Sequence, residues 1–512
     1  MDKINDYLSI NKNKIKIIVI SSIVWGVLAH GSTMFNLYSF FDNSDLFNIG
    51  ATYELGRWFL GFMGWLTMYF TGSLLYTTPL LNTILTILCI GIISYILSEL
   101  FDIKSILLLI LLNGLMVVFP AVTSALGYMF TAPYYYLGLL LGIVGIYSFF
   151  KYKKWYTWLI ATILLACGAG TYQANMHLFV GVILLLTIKE TYDNNYSLKS
   201  FIINSLINVT LCVGMLALYI IVNKVVLKLL NVLMTEYKNV NSLSNVPVSE
   251  YINRIFLAYR EFFFPTNNVS RNMYVFSLFQ FYKILLFVIF AVIIIGLIRT
   301  FKENKLKTIE LIVLLLFVPL ANNFVYLMCE TEYVYSIMMY GQLTIFVLFI
   351  YMIENLKFDI QVIQKGTRLI GMVLLCVFCV IYTKFDNDCY LKADILQRQI
   401  NSYITTMVTQ IKSLDGYIDG MKIAYINEDI KSDSSIPQRE EIDSIYIHPY
   451  HMSTLLEDYN FRRIMERQIG FYPEKADKEY FSALDEVKNM PSYPNDGSIR
   501  IIDDVIVIKF SD

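Results

Sequence analysis

Four ionisable side chains follow the first long apolar run of the chain. Asp42, Asp45, Glu54 and Arg57 lie within residues 30–58, in a half of the sequence where charges are scarce. Ionisable groups beside a membrane span indicate a functional site. Asp42 and Asp45 are three residues apart, and either carboxylate is a candidate general base that accepts a proton from an attacking hydroxyl. A solvated acidic loop is the alternative explanation for the same pair.

Arg57 is the candidate for binding an anion. It is the only cation between Lys16 and Lys104, and a guanidinium holds a phosphate through charge-assisted hydrogen bonds. A side chain that only anchors the start of an interfacial segment is the alternative. Arg271, in a turn-rich stretch later in the chain, is a second candidate for the same phosphate.

A second group of polar residues separates two later apolar runs. Tyr172, Gln173, Asn175 and His177 fall in the stretch TYQANMH, which predicts a turn. Hydrogen-bonding side chains beside tyrosine rings match the hydroxyls and ring faces of a sugar, so we assign these residues, with Glu54, to a sugar-binding site. Hydrogen bonds between neighbouring helices use the same residue types and are the alternative. The sequence has no metal-ligand spacing.

The elements that position these residues are membrane spans. The chain has 512 residues, of which 56% are hydrophobic and 16% charged, and its mean hydropathy is +0.56, which is too apolar for a soluble domain. Its net charge of -1 and its lack of a basic run exclude a nucleic-acid-binding module. About eleven runs have the length of a transmembrane helix; they cover residues 15–34, 79–99, 105–122, 133–150, 156–171, 174–188, 201–223, 278–298, 309–329, 333–353 and 369–383.

Lysine and arginine are concentrated in alternate connections between these runs, including 151–154 and 299–307. This bias predicts a cytoplasmic N-terminus. Residues 57–76 are apolar enough to span, but a crossing there would place the cluster at 151–154 on the outside. We therefore expect residues 57–76 to lie in the outer interface or to re-enter, where two Trp and two Tyr suit the headgroup level. An ordinary span that ignores the charge bias is the alternative.

The tail differs from the rest of the chain. Residues 384–512 predict a small extracytoplasmic α/β domain after a transmembrane domain of residues 1–383. We expect helices near 390–414 and 454–468, and strands at MKIAYI, SIYIH and the terminal IIDDVIVIKF.

Several short motifs resemble one family of membrane enzymes. The sequence HG, then FN, then Asp42, then LGRW at 55–58, and later YQAN at 172–175 is similar to the GtrII-type membrane glucosyltransferases, over roughly residues 15–350. That family resembles the wider GT-C group of glycosyltransferases that use polyprenyl-phosphate sugars. The resemblance implies a GT-C-like helical fold with juxtamembrane helices and an essential acid in the first outer loop. Because the acids read DNSD rather than an adjacent pair, the resemblance leaves open which of them is the base.

The resemblance also implies the reaction. Glucose or a related hexose would pass from an undecaprenyl-phosphate sugar to a cell-surface polysaccharide or its lipid-linked precursor, at the outer face of a bacterial cytoplasmic membrane. The donor supplies the free energy, so no nucleotide cofactor is expected, and a role for a divalent cation stays open. A flippase or transporter of lipid-linked sugars and a polysaccharide polymerase are the alternatives. A transporter should carry ionisable residues in mid-membrane and paired interrupted segments, and the sequence has neither apart from a short run around Gly168 and Gly170.

Overall fold

The computed structural model describes most of the chain. The described residues are 2–40, 43, 49–194, 197–235, 247–265, 279–329, 334–355, 361–427, 440–445, 447–456 and 458–511. They fold into two compact units, of which the first comprises Met1–Phe35 and Asn48–Asn387 and the second comprises Asn36–Phe47 and Asp388–Asp512. The second unit thus contains the predicted tail from residue 388 onward, together with a short stretch that follows the first helix.

The first unit is helical. Its helices are α1 (Asp2–Phe35), α2 (Trp58–Thr71), α3 (Pro79–Leu100), α4 (Ile106–Val118), α5 (Pro120–Leu126), α6 (Ala132–Tyr152), α7 (Trp155–Thr171), α8 (Asn175–Asp193), α9 (Leu198–Leu230), α10 (Val248–Phe263), α11 (Phe279–Glu303), α12 (Lys305–Leu316), α13 (Val318–Asn322), α14 (Val325–Met328) and α15 (Thr344–Asn355), and α16 (Gln361–Lys412) begins there. Two 3₁₀ helices, Tyr53–Leu55 and Ser336–Leu343, connect them.

Seven helical segments in the described part of the chain are long and apolar enough to cross a membrane, which indicates a multi-pass membrane protein. They are Lys12–Phe35, Pro79–Leu100, Ala132–Tyr152, Leu198–Leu230, Phe281–Glu303, Ser336–Asn355 and Gln364–Lys412. The pair α4 and α5, bent by 41°, brings the number to eight if it forms one span. Each of the seven overlaps a predicted span, but the predicted number of eleven is not confirmed.

Prolines explain two of the differences. Pro120 begins α5, and Phe119 before it has the extended conformation that a following proline favours, with φ -65° and ψ 131°, so the predicted run 105–122 bends. The predicted run 309–329 is divided into α12, α13 and α14, and Pro319 lies in the first turn of α13. At 1.5 Å per residue, the 17 residues of α7 extend about 26 Å. The helices within runs 105–122 and 309–329 are each shorter than the predicted run, whereas α7 covers the whole of its predicted run 156–171.

The segment 57–76 forms one short helix followed by an irregular connection to α3. Helix α2 has 14 residues and extends about 21 Å, less than the roughly 30 Å of hydrocarbon in a bilayer. It buries Leu60 and Met63 on one side and exposes Trp65 and Tyr69 on the other. A one-sided aromatic helix of this length suits an interface rather than a crossing.

The second unit is mixed α/β. It contains the later part of α16, strands β1 (Lys422–Ile426), β2 (Ile499–Ile502) and β3 (Val505–Lys509), and the short helices α17 (Glu440–Asp443), α18 (Met452–Leu455), α19 (Asp458–Ile464), α20 (Lys478–Ala483) and α21 (Asp485–Lys488), with a π-helical turn at Met465–Ile469. The strand order is β1-β3-β2, with β1 parallel and β2 antiparallel to β3. Asp503 and Asp504, both with positive φ, form the two-residue turn between β2 and β3.

One predicted strand of the tail is wrong. The described part of SIYIH, residues 444, 445, 447 and 448, is not in a strand, and Tyr446 lies outside the described residues. The amide of Ile445 donates to the carbonyl of Ile442, and the amide of Tyr450 donates to that of Ile447, so these groups close local turns instead of a ladder. Ile447 and Tyr450 are nevertheless buried in the core of the second unit.

Candidate active site

The motif LGRW lies in a tight turn that precedes α2. Within this turn the amide of Gly56 donates to the carbonyl of Tyr53 at 2.9 Å, and the amide of Arg57 donates to that of Thr52 at 2.8 Å. Gly56 has φ +72° and ψ 17°, in the left-handed region that only glycine adopts without strain. The turn therefore ends by projecting Arg57 just before the first residue of α2.

Two side chains from distant helices hold this turn. Gln173, between α7 and α8, donates from Nε2 to the carbonyl of Leu55 at 2.5 Å and lies 3.0 Å from the hydroxyl of Tyr219 on α9. The Tyr219 hydroxyl in turn donates to the carbonyl of Gly56 at 3.2 Å. A Cβ atom at position 56 would lie 2.6 Å from that hydroxyl and 3.1 Å from Gln173 Nε2. The predicted residue Gln173 thus contacts the LGRW turn, although it lies 118 residues after Leu55 in the sequence.

Arg57 packs on a pair of stacked tyrosines. The rings of Tyr135 and Tyr172 lie 4.5 Å apart at 14°, and the guanidinium carbon of Arg57 lies 5.2 Å from the centre of the Tyr172 ring. Its Nη1 donates to the Tyr135 hydroxyl at 3.2 Å. A guanidinium that is stacked and bonded in this way has few rotamers left, so its fork of N–H donors is held in a fixed direction.

Tyr172 is a hydrogen-bonding group rather than a base. Burial raises the pKa of its hydroxyl far above the usual value, and the Arg57 guanidinium only partly offsets this. The hydroxyl therefore stays protonated at cellular pH. The surface around Arg57 offers a cation, aromatic faces and neutral hydroxyls, which is the chemistry that a sugar phosphate requires.

Glu54 lies in the same turn as Arg57. It is exposed, and its carboxylate forms no hydrogen bond or ion pair with any residue that the structure describes. Its carbonyl accepts a hydrogen bond from the amide of Thr235 at 3.0 Å. The backbone at Glu54 is thus fixed while its carboxylate is available to solvent or a ligand.

Asn175 and His177 are buried and bonded to the backbone. Asn175 donates from Nδ2 to the carbonyl of Gly168 at 3.0 Å, which satisfies the end of α7. The ring of His177 lies between two carbonyls, 2.7 Å from Asn322 and 3.3 Å from Met338. Both side chains therefore connect helices in the described structure, and their role in sugar binding stays a prediction.

The structure does not describe three of the predicted site residues. Asp42, Asp45 and Arg271 lie outside the described residues, so the structure neither supports nor opposes their assignment. The described predicted residues that come together are Arg57, Tyr172 and Gln173, with Glu54 in the same turn.

Sequence reasoning did not assign Tyr219 and Tyr135 to this site, and it did not single out the buried carboxylate of Asp386. Tyr219 lies inside an apolar run and reads as one more lipophilic residue, and Tyr135 belongs to the stretch GYMFTAPYYY, where nothing distinguishes it from its neighbours. Asp386 follows the last apolar run and was expected in the soluble tail. It is fully buried in the first unit, where it accepts a hydrogen bond from the Thr123 hydroxyl at 2.6 Å, and its Oδ2 has no partner among the described residues.

A small void lies beneath the tyrosine pair. Its volume of about 20 Å³ is room for roughly one water molecule, so a hexose does not fit inside it in this conformation. The residues around it include Tyr135, Tyr136, Tyr172, Asn175, Met338 and Tyr340.

Comparison with known protein families gives a match over most of the first unit. The family described as glucosyl transferase GtrII matches residues 31–348, which contain the LGRW turn, the tyrosine pair and Gln173. No curated protein and no solved structure matches the chain. The predicted family resemblance is confirmed, and the matched stretch ends before α16 and the tail.

Proposed function

Because the chain belongs to the GtrII family and is therefore a membrane glycosyltransferase, we propose that it moves glucose or a related hexose from an undecaprenyl-phosphate sugar to a surface polysaccharide or its lipid-linked precursor. The acceptor hydroxyl attacks the anomeric carbon as the bond from that carbon to the phosphate oxygen breaks. The bonding electron pair leaves with the polyprenyl phosphate, and the hydroxyl proton passes to a carboxylate. One displacement of this kind inverts the anomeric centre.

The observation that supports this proposal is the fixed guanidinium of Arg57 on the Tyr135 and Tyr172 rings. Negative charge grows on the leaving phosphate as the glycosidic bond breaks. A preorganised guanidinium stabilises that charge without a reorganisation cost at the moment of reaction. Arg57 is thus the residue to which we assign the donor phosphate, and Arg271 is the second candidate from the sequence.

The general base is Asp42 or Asp45, which the sequence places between α1 and the LGRW turn. A phosphate leaving group needs no proton from the enzyme, so one carboxylate is sufficient and the two-carboxylate arrangement of glycoside hydrolases is not required. Glu54 is the next candidate, because its carboxylate is exposed in the turn that presents Arg57. Tyr172 and Gln173 are the described candidates for contacts with the sugar.

The proposed orientation places this chemistry outside the cytoplasm. The lysine and arginine bias puts the N-terminus inside, which places the connection after α1 and the tail outside. The one-sided aromatic face of α2 suits the outer headgroup layer, beside the phosphate of a membrane-bound donor. The lipid part of the donor would then remain in the bilayer.

Transfer and flipping can be separated in one experiment. Purified protein in liposomes receives undecaprenyl-phosphate-[¹⁴C]glucose and a glycan fraction from the cell envelope. We expect label in the glycan without any added nucleotide. Movement of the donor across the bilayer with no labelled glycan would instead favour the flippase. Glycan that lengthens by repeat units, with no single glucose added, would favour the polymerase.

A further inference from the structure

The segment that follows α1 is buried within the second unit. Ser39 and Phe40 are completely buried and Tyr38 is 4% exposed. This segment has no regular secondary structure, so its backbone groups need partners from elsewhere if burial is not to cost free energy. The partners come from the tail.

All three polar groups of Ser39 are bonded to tail side chains. Its amide donates to Oε1 of Gln397 at 2.9 Å, and its carbonyl accepts from Nδ2 of Asn460 at 3.2 Å. Its hydroxyl accepts from Nε2 of Gln468. Gln397 and Gln468 also contact each other, with 3.4 Å from Nε2 to Oε1. These three amides, which we call the amide clamp, are provided by α16, α19 and the π-helical turn.

Aromatic rings fix the residues on both sides of Ser39. The ring of Tyr38 stacks on Tyr390 at 6.2 Å, and the ring of Phe40 meets Tyr450 edge-on at 5.2 Å. Tyr390 and Tyr450 are themselves fully buried and lie 6.0 Å apart. Tyr390 and Gln397 are seven residues apart on α16, so one face of this helix provides both a ring and an amide.

The chain is fixed again at Asn43. Its amide donates to the carbonyl of Phe40 at 3.1 Å, its Nδ2 donates to that of Tyr38 at 2.6 Å, and its side chain is 1% exposed. Asp42 is covalently joined to Asn43, and Asp45 follows two residues later. The tail therefore holds the chain at Ser39, three residues before Asp42, and Asn43, next to Asp42 in sequence, bonds back to the segment that the tail holds.

We propose that the C-terminal unit positions the catalytic loop of the enzyme, with Gln397, Asn460 and Gln468 as positioning residues that bind Ser39. This inference rests on the proposed function, because it assumes that the base is Asp42 or Asp45. It gives the tail, which the family match does not include, a role in the reaction. A displacement of about 1 Å of a reacting group lowers the rate roughly 10²-fold. A catalytic carboxylate on this loop would therefore depend on the contacts by which the amide clamp holds Ser39.

Substitutions at Gln397 separate positioning from folding. Gln397→Met keeps the length of the side chain but removes the acceptor for the Ser39 amide, whereas Gln397→Glu keeps an acceptor oxygen. Gln410→Ala is the matched control, because Gln410 is exposed on the same helix. Asn460→Ala removes the donor to the Ser39 carbonyl. All variants are made in the full-length protein.

We expect Gln397→Met and Asn460→Ala to lower kcat at least tenfold and to leave KM for undecaprenyl-phosphate-glucose within about twofold. Gln397→Glu should recover most of the lost kcat, and Gln410→Ala should match the wild type. Hydrogen exchange should become faster at residues 36–47 of the two impaired variants and stay unchanged in β1 and β3.

Three results would overturn the positioning role. The first is wild-type kcat in Gln397→Met and Asn460→Ala, and the second is unchanged hydrogen exchange at residues 36–47. The third is loss of protection in β1 and β3 together with the loop, which would mean that the whole unit unfolds.

Failure of the proposed function would give a different result. Asp42→Asn and Asp45→Asn would then both remain active, while the exchange result at residues 36–47 would still report whether the amide clamp holds the loop.

Discussion

Substitution of Gly56 by alanine tests whether the LGRW turn forms the donor site. An alanine at φ +72° costs about 1–2 kcal/mol in backbone strain. Its Cβ would also lie 2.6 Å from the Tyr219 hydroxyl, so that hydroxyl must move by about 0.8 Å to reach an ordinary contact distance of 3.4 Å. The movement breaks the bond from Tyr219 to the Gly56 carbonyl and disturbs Gln173, at a further cost of about 0.5–1.5 kcal/mol for each hydrogen bond lost.

Gly72 provides the matched control for this substitution. It has φ +66°, so alanine there meets a similar backbone strain, but a Cβ atom at Gly72 has nothing within 4 Å. Comparison of the two variants therefore cancels the strain and leaves the effect of the displaced Tyr219 and Gln173.

The assay is transfer of labelled glucose by purified protein, with thermal unfolding of the same samples. We expect Gly56→Ala to lower kcat/KM by about 10²-fold, since a displacement near 1 Å at a reacting group has that effect, and Gly72→Ala to lower it less than threefold. Both should remain folded at the assay temperature. Equal losses in the two variants would show that backbone strain alone matters, and full activity of Gly56→Ala would remove the turn from the site.

Three further predictions concern other residues. Arg57→Lys should raise KM for the donor about tenfold, because lysine has no fork of donors for a phosphate, and should also lower kcat, because the charge that grows on the leaving phosphate is less well stabilised; wild-type KM and kcat in steady-state assays would make Arg57 only an anchor. Of Asp42→Asn and Asp45→Asn, the true base should lose about 10²–10⁴ in kcat while its neighbour changes mainly KM; near wild-type kcat in both, at normal expression, would direct attention to Glu54. Burial, with a smaller contribution from the charge of Lys392, lowers the pKa of His451 from 6.5 to about 3, so the unfolded chain binds a proton that the folded unit does not. Its contribution to stability is complete above pH 6.5 and falls by about 1.4 kcal/mol per pH unit as the pH drops from 6.5 towards 3; hydrogen exchange in the tail of the full-length protein should show this slope, and His451→Gln should remove it.

The sequence predicts well those parts of the fold in which apolar composition alone determines that a long helix forms. Apolar runs without internal breaks, such as 79–99 and 201–223, appear as α3 and α9. The aromatic segment 57–76 contains the 14-residue helix α2, and its position in the outer interface stays a prediction. Hydropathy is averaged over a window, however, and a single proline hardly changes the average. For this reason the hydropathy average predicts one continuous run at 309–329, although the chain is divided there into α12, α13 and α14 and Pro319 lies in the first turn of α13.

The site was only partly predictable for a different reason. Arg57 and Gln173 are conspicuous because polar groups are rare around them. Tyr219 is not conspicuous in the sequence, because its hydroxyl contributes to the site by donating to the carbonyl of Gly56, 163 residues earlier in the chain. Ser39 is a similar case. A small hydroxyl residue after a span has no pattern of its own, and its partners on the tail are found only once the chain is folded.

The donor lipid is the central claim, and the stoichiometry of its consumption tests it most directly. Purified protein is given undecaprenyl-phosphate-[¹⁴C]glucose and envelope glycan, and both the labelled glycan and the released undecaprenyl phosphate are measured with time. We predict one undecaprenyl phosphate released for each glucose transferred, with UDP-glucose inactive as a replacement donor. Transfer from UDP-glucose, or labelled glycan formed without release of undecaprenyl phosphate, would contradict this account of the reaction.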